Sequence, residues 1–239
     1  MSQEEPILLR EDRADGRTTL VLNRPAQFNS LSNAMLDALL AELKAIAADS
    51  KVRAVVIQGA GKAFCAGHDL KEMRGADYGE RYAEDLFEAC ARLMQRIVSL
   101  PQPVIARVHG IATAAGCQLV SMCDLAVAAD VARFAVSGIN VGLFCSTPAV
   151  GLSRNMGRKE AMEMLLTGEF IEAAEAKRRG LVNRVVPLGE LDEAVEALVQ
   201  SILAKSPVAV ATGKQMFYKQ LEMGIDAFIE KRKPVWQAA

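Results

Sequence analysis

Two kinds of hydrophobic spacing alternate along this chain. Residues 18–22 (TTLVL) form a β-branched, apolar run, and residues 32–49 then place Met35, Leu36, Leu39, Leu40, Leu43 and Ile46 at intervals that line one helical face. Ser32, directly ahead of that periodic stretch, suits a helix N-cap. A second strand pattern at 52–57 runs into the glycine-punctuated stretch GAGKAFCAGHDL (59–70). An amphipathic helix around 80–99 follows, with Leu86, Leu93, Met94 and Ile97 inward. A third strand, 104–108, runs into GIATAAGCQLVSMC (110–123), so the sequence strand, small-residue turn, helix occurs twice.

Beyond Asp124, LAVAA and RFAV read as short strands, and the segments near 148–156 and 159–166 as helices. EAAEAKRRG ends in basic residues and Gly180, the pattern of a helix C-terminus with a left-handed cap. A strand (LVNRVV) and two helices on either side of Pro207 complete the body. Parallel strands need crossovers of about a dozen residues or more, so alternating strands and helices predict an α/β domain with mostly parallel pairing.

Composition sharpens this picture. With 239 residues, 51% hydrophobic content and a mean hydropathy of +0.14, the chain can bury one sizeable core and carry a small helical appendage. Its net charge of -1 supplies no general field toward nucleic acid or an anionic membrane, so an anionic ligand must be met by local groups. The five cysteines, Cys65, Cys90, Cys117, Cys123 and Cys145, form no CxxC pair, which argues against disulfides and a structural zinc; no metal is expected. The acidic N-terminus differs from secretory and transit signals, and no apolar stretch reaches the ~20 residues that span a bilayer, so the expected address is cytoplasmic.

GAGKAF falls short of a phosphate-binding loop, because Val56 stands where the first glycine belongs and Ala63 where Ser or Thr must follow Lys62. GxGxxG fails at Phe64, and no GxSxG or HExxH is present. What survives is the pair of small-residue turns, CAGHDL and TAAGCQL. Small residues let a ligand approach the main chain, and each following helix begins with unpaired N–H donors. Two such turns side by side can aim two N–H groups at one carbonyl oxygen, an oxyanion hole. The same residues also serve close packing without any ligand.

The runs FCAGHDLKE (64–72), PVIARVHG (103–110) leading to AGCQL (115–119) and CDLA (123–126), and AMEMLLTG (161–168) resemble the enoyl-CoA hydratase/isomerase, or crotonase, superfamily. So do the opening LNRPAQFNSLS and the closing FIEKRKPVW, which makes the likeness span nearly the whole chain. More narrowly, HDLKEM, ATAAGCQLV and NVGLFCSTP resemble the enoyl-CoA hydratase domain-containing protein 3 group. The resemblance implies a crotonase spiral of repeated ββα units over residues 1–190, a C-terminal helical trimerisation and lid region over 191–239, and a homotrimer or hexamer. It implies an acyl-CoA ligand, with coenzyme A as part of the substrate and no permanent cofactor, and oxyanion donors on the backbone N–H of His68 and Ala115. Ala66 and Leu70 would flank the adenine and pantetheine path, Arg24 would lie near the CoA phosphates, and Phe228 and Lys231 would reach a neighbour's nucleotide. The His68 side chain could face solvent or the acyl pocket, and Asp69 suits a helix N-cap.

The sequence departs from its family where hydration chemistry resides. The family supplies a general base and a general acid as two glutamates; here the positions hold Gln118 and Gly138, neither of which shuttles a proton. Related isomerases place a carboxylate a few residues later, where this chain reads Leu143-Phe-Cys-Ser-Thr147. Cys145 is a nucleophile there only with a lowered pKa, and otherwise a small buried hydrophobe. A glutamate at 138 would be blocked if Gly138 takes φ > 0. The resemblance also implies a further helical stretch that this sequence does not show near 223–225, roughly two dozen residues, about seven turns of helix at ~3.6 residues per turn. Two functions stay open: an enzyme acting on acyl-CoA, or a non-hydrating acyl-CoA binder that modulates fatty-acid metabolism. A nucleic-acid-binding role is disfavoured by the lack of a basic stripe.

Overall fold

The computed structural model describes residues 5–75 and 80–229. A hairpin of β1 (Leu8–Asp12) and β2 (Arg17–Leu22) leads through α1 (Asn33–Ala48) to β3 (Ala54–Gly59), β4 (Ala63–Cys65), the short α2 (Leu70–Met73) and α3 (Glu80–Ser99). The next repeat is β5 (Val104–Val108), β6 (Ile111–Thr113) and α4 (Ala115–Met122). The third is β7 (Leu125–Ala129), β8 (Arg133–Ala135), α5 (Ser146–Asn155) and α6 (Arg158–Thr167). The chain closes with β9 (Ile171–Glu172), α7 (Ala173–Arg179), β10 (Arg184–Val186), α8 (Leu191–Leu203) and α9 (Pro207–Ile229).

Two sheets result, a six-stranded one in the order β1-β2-β3-β5-β7-β10 and a four-stranded one in the order β4-β6-β8-β9. Pairing is parallel except for β1 with β2 and β8 with β9. Each repeat lays its first strand in the larger sheet and its second in the smaller before a helix returns the chain, so the backbone advances as a spiral of ββα units.

Alternation along the central strands distributes side chains between two cores. Val55, Ile57, Val104, Ala106 and Ala128 face the main core with α1 and α3, while Ala54, Val56, Ile105, Val127 and Ala129 face Leu191, Val195 and Val199 of α8. Strands buried on both faces read as continuous apolar runs, which is why AVVI and LAVAA were legible. The short β4 and β6, which lie inside the small-residue turns, were not, nor was the charged edge strand β1. The Ser32 cap is present, its hydroxyl accepting the Met35 N–H at 3.2 Å. Gly180 closes α7 in the left-handed region at φ 93°.

The C-terminal helix is pinned by charge. Lys214 Nζ donates to the Ile97 and Gln102 carbonyls at 3.0 Å and pairs with Asp124 Oδ2 at 2.6 Å, and Tyr218 donates to Asp124 Oδ1 at 2.9 Å. Val208, Met216, Phe217 and Leu221 lie exposed along α9. The 223–225 junction falls inside this helix; Phe228 belongs to its last turn, and Lys231 lies outside the described residues.

Candidate functional site

The loop before α1 holds the first small-residue turn. Buried Asn29, at φ 55°, donates through Nδ2 to the carbonyls of Ala60 and Ala63, both at 2.8 Å, and accepts the Arg24 N–H at 3.0 Å. The Ala66 N–H donates to the Phe28 carbonyl at 3.0 Å, Leu31 N–H to the Gly67 carbonyl at 2.7 Å, and Asp69 N–H to the Leu31 carbonyl at 3.3 Å. These last two bonds make a single parallel bridge between Leu31 and His68, a register that turns the His68 N–H away from Leu31. That N–H has no backbone acceptor among the described residues.

The second turn lies against the first. Ala114 sits at φ 50° and ψ −122°, a strained conformation for a residue with a side chain, and Ala115 is the first residue of α4, where the N–H is left unpaired by the helix. Gly67, at φ 89°, packs so closely that a Cβ there would lie 2.8 Å from the Ala114 Cβ and 3.1 Å from the Ala115 nitrogen. A Cβ on Gly116 would run into the Cys65 carbonyl. The two turns therefore touch, each with an unspent N–H.

Around them the polar groups are mostly committed. Asp69 caps α2 by accepting the Lys71 N–H at 3.1 Å, and takes Ser30 Oγ at 3.2 Å and Arg24 Nη2 at 3.0 Å. Burial would raise its pKa, but those donors together hold it below 3.8. Arg24 also reaches the Ser30 carbonyl at 3.1 Å, so its guanidinium is spent inside this cluster. Ala66 is half-buried and Leu70 exposed at the start of α2. The His68 ring meets Phe87 edge-on, centroids 5.6 Å apart, and both ring nitrogens are buried without a hydrogen-bond partner. Burial depresses its pKa below 6.5, with a partial offset from the nearby Leu31 carbonyl, which makes its own hydrogen bond to the Asp69 N–H.

Gln118 lies one turn into α4, on the same face as Ala115. It is buried, and its Oε1 accepts the Thr147 hydroxyl at 3.3 Å and the Cys90 thiol at 3.9 Å. Gly138 occupies a 3-10 turn in which its carbonyl accepts the Leu143 N–H at 2.9 Å. Its φ is not left-handed; space excludes a side chain instead, because a Cβ would fall 2.6 Å from the Leu143 oxygen and 2.7 Å from Cys145 Sγ. Cys145 is buried and burial pushes its thiol up, so it fills space as a small protonated side chain. Thr147, Cys90 and Phe87 are not among the site residues expected from the sequence. Thr147 sits in the helix start Ser-Thr-Pro, which reads as capping chemistry, and the other two lie within the Leu86–Leu93 apolar stretch.

The enoyl-CoA hydratase/isomerase family model matches residues 14–223. The chain belongs to that family. Among its members, the rat protein named "Enoyl-CoA hydratase domain-containing protein 3, mitochondrial" is 43% identical over 258 residues, covering 98% of this chain and 86% of the relative. The human protein of the same name is 42% identical, covering 98% and 85%. A crystal structure of enoyl-CoA hydratase from Mycobacterium smegmatis superposes with a TM-score of 0.90 at 56% identity, covering 98% of this chain and all of that one. The human crystal structure of the domain-containing protein 3 gives 0.87 at 42%, covering 97% and 100%.

The matched stretch of the rat family member, 258 residues against 239 in this chain, is longer by at least 19. The cytoplasmic address expected from the acidic N-terminus is corrected by these family members, since those at 38–43% identity are named mitochondrial. Among the described residues no single helix is long and apolar enough to cross a membrane.

Proposed function

We propose that this protein binds an acyl-CoA thioester with the carbonyl oxygen between the N–H groups of His68 and Ala115, and hydrates enoyl thioesters weakly or not at all. The contact between the two turns, each with an unspent N–H, carries this reading. In the site, those donors would stabilise negative charge on the thioester oxygen. Hydration then needs a base to take a proton from water as its oxygen attacks C3, and an acid to deliver a proton to C2. Gln118 and Gly138 provide neither, and the Gln118 network of Thr147 and Cys90 contains no carboxylate.

Positioned acid and base groups typically contribute ~10²–10⁴-fold, so crotonyl-CoA hydration should fall below that of a hydratase with both glutamates by that order. The test pairs calorimetric binding of crotonyl-CoA with loss of enoyl absorbance. Binding with slow turnover supports the reading; rapid hydration overturns the second half of it, and absence of binding overturns the first. Self-association as a trimer or hexamer belongs to the same proposal, supported by the apolar side chains exposed on α9, and a monomer in sedimentation at micromolar concentration would contradict it.

A further inference from the structure

Asn29 is a fully buried side chain that joins the loop before α1 to the segment leading into the first small-residue turn. Both protons of its Nδ2 are committed, to the Ala60 and Ala63 carbonyls at 2.8 Å, and its Oδ1 accepts the Arg24 N–H at 3.0 Å. Two donors matched to two carbonyls give the amide a single orientation, because turned over it would set its oxygen against both of them. The surrounding backbone packs closely: a Cβ on Gly59 would lie 2.7 Å from Asn29 Nδ2.

The backbone of Asn29 is equally particular. It sits at φ 55°, directly after Phe28 at φ 50°. Asparagine is among the few residues besides glycine that take the left-handed region readily, whereas a bulky residue does so at a cost. Past these two residues the chain lies along 66–69. There the Phe28 carbonyl takes the Ala66 N–H at 3.0 Å, the Leu31 N–H reaches the Gly67 carbonyl at 2.7 Å, and the Leu31 carbonyl takes the Asp69 N–H at 3.3 Å. The loop thus engages the N–H of residues 66 and 69 and leaves that of His68. A parallel bridge produces this pattern only while Leu31, two residues after Asn29, keeps its register.

We infer that Asn29 is the positioning residue for the His68 N–H: by tying the loop to Ala60 and Ala63 it fixes the direction in which that donor points, its own amide being committed to the protein. This rests on the acyl-thioester reading above and assigns a supporting residue to that same site. Hydrogen bonds weaken steeply once donor and acceptor leave alignment, so loss of the Asn29 amide weakens the contact with a thioester carbonyl and spares contacts made by the rest of the ligand.

Butyryl-CoA and its thioether analogue S-butyl-CoA, which differ only by the carbonyl oxygen, test it by titration calorimetry on the full chain. The wild type should bind the thioester about tenfold more tightly, the net size of the hydrogen bonds from the donor pair. Asn29→Gly keeps the left-handed backbone accessible and removes the amide. It should lower the ratio to about threefold, the share left to Ala115, while the thioether binds within about twofold of its wild-type affinity. Asn29→Asp keeps the size of the side chain but turns an oxygen toward the Ala60 and Ala63 carbonyls, and should lower the ratio likewise. In infrared difference spectra the carbonyl stretch of bound butyryl-CoA should move to higher frequency in both variants. An unchanged ratio in both, or parallel loss of both ligands, would overturn the assignment to Asn29 and leave the binding proposal intact. Equal affinity of the wild type for thioester and thioether would overturn the placement of the carbonyl on the two donors. Failure of either ligand to bind at millimolar concentration would overturn acyl-CoA binding itself.

Discussion

The two small-residue turns and the positions 118 and 138 make up the proposed site, yet they would carry chemistry in different ways. The turns offer backbone N–H groups, so His68 and Ala115 are compatible with the proposed donor role whatever their side chains. What that role demands is closeness, supplied by Gly67 and Gly116 and by a strained Ala114. Proton transfer belongs to side chains; Gln118 in its helix and Gly138 in its turn carry no titratable group. A backbone donor is therefore set by packing and does not depend on which side chain stands there, whereas a position without a titratable side chain cannot carry a proton.

The largest effect that would break this comparison comes from the turn side. Gly67→Val forces a β-branched side chain into φ 89° against Ala114 and the Thr113 carbonyl. It should destabilise the protein by about 3 kcal/mol or more and reduce acyl-CoA affinity over 100-fold, read by denaturant unfolding and calorimetry. Binding that survives unchanged would show that contact between the turns is not what places the donors.

Next in size is the introduction of two carboxylates. Gln118→Glu with Gly138→Glu should cost about 1–3 kcal/mol, because the new Cβ at 138 meets the Leu143 oxygen and Cys145 Sγ, and hydration should not rise to the rate of an ordinary hydratase. Gln118→Glu alone should leave crotonyl-CoA hydration nearly unchanged, since a single carboxylate lacks its partner. Fast hydration by the double variant would mean that the turn around 138 yields more readily than its packing implies.

A helix cap sharpens the comparison at smaller scale. Ser32 satisfies the Met35 N–H with a side chain, whereas no side chain caps α4 ahead of Ala115. Ser32→Ala should cost about 1 kcal/mol in thermal or denaturant unfolding and leave the site geometry untouched.

The subtlest test is titration. The folded pKa of His68 lies below its ordinary 6.5 because the ring is buried, so the unfolded chain takes up the proton first. The stability it contributes is complete above pH 6.5 and is lost as pH falls through the folded value. His109 is shifted the same way, chiefly by burial, so His68→Gln should remove only part of the acid sensitivity below pH 6.5. A pH–stability profile identical to wild type would show that the His68 ring is not held in a desolvated environment.

By itself the sequence determined the alternation of strands and helices, the capped start of α1, the glycine end of α7 and the family, because periodicity and terminal signals are local and nearly every element carries its own. It also places residues without a titratable group at 118 and 138, since that depends only on which residue stands at each position. Tertiary structure decided the rest. The short strands β4 and β6 are hidden in the small-residue turns, and their pairing in a second sheet depends on partners 48 residues away, such as Ala63 with Ile111. Arg24 offers a free cation in the sequence but is consumed by Asp69 in the fold, and Gly138 excludes a side chain through crowding by Leu143 and Cys145 rather than through its own backbone. The same holds for the Gln118 amide, whose Oε1 meets a thiol on α3 and a hydroxyl on α5. Such features arise from contacts between distant segments, and no local pattern of residues encodes them.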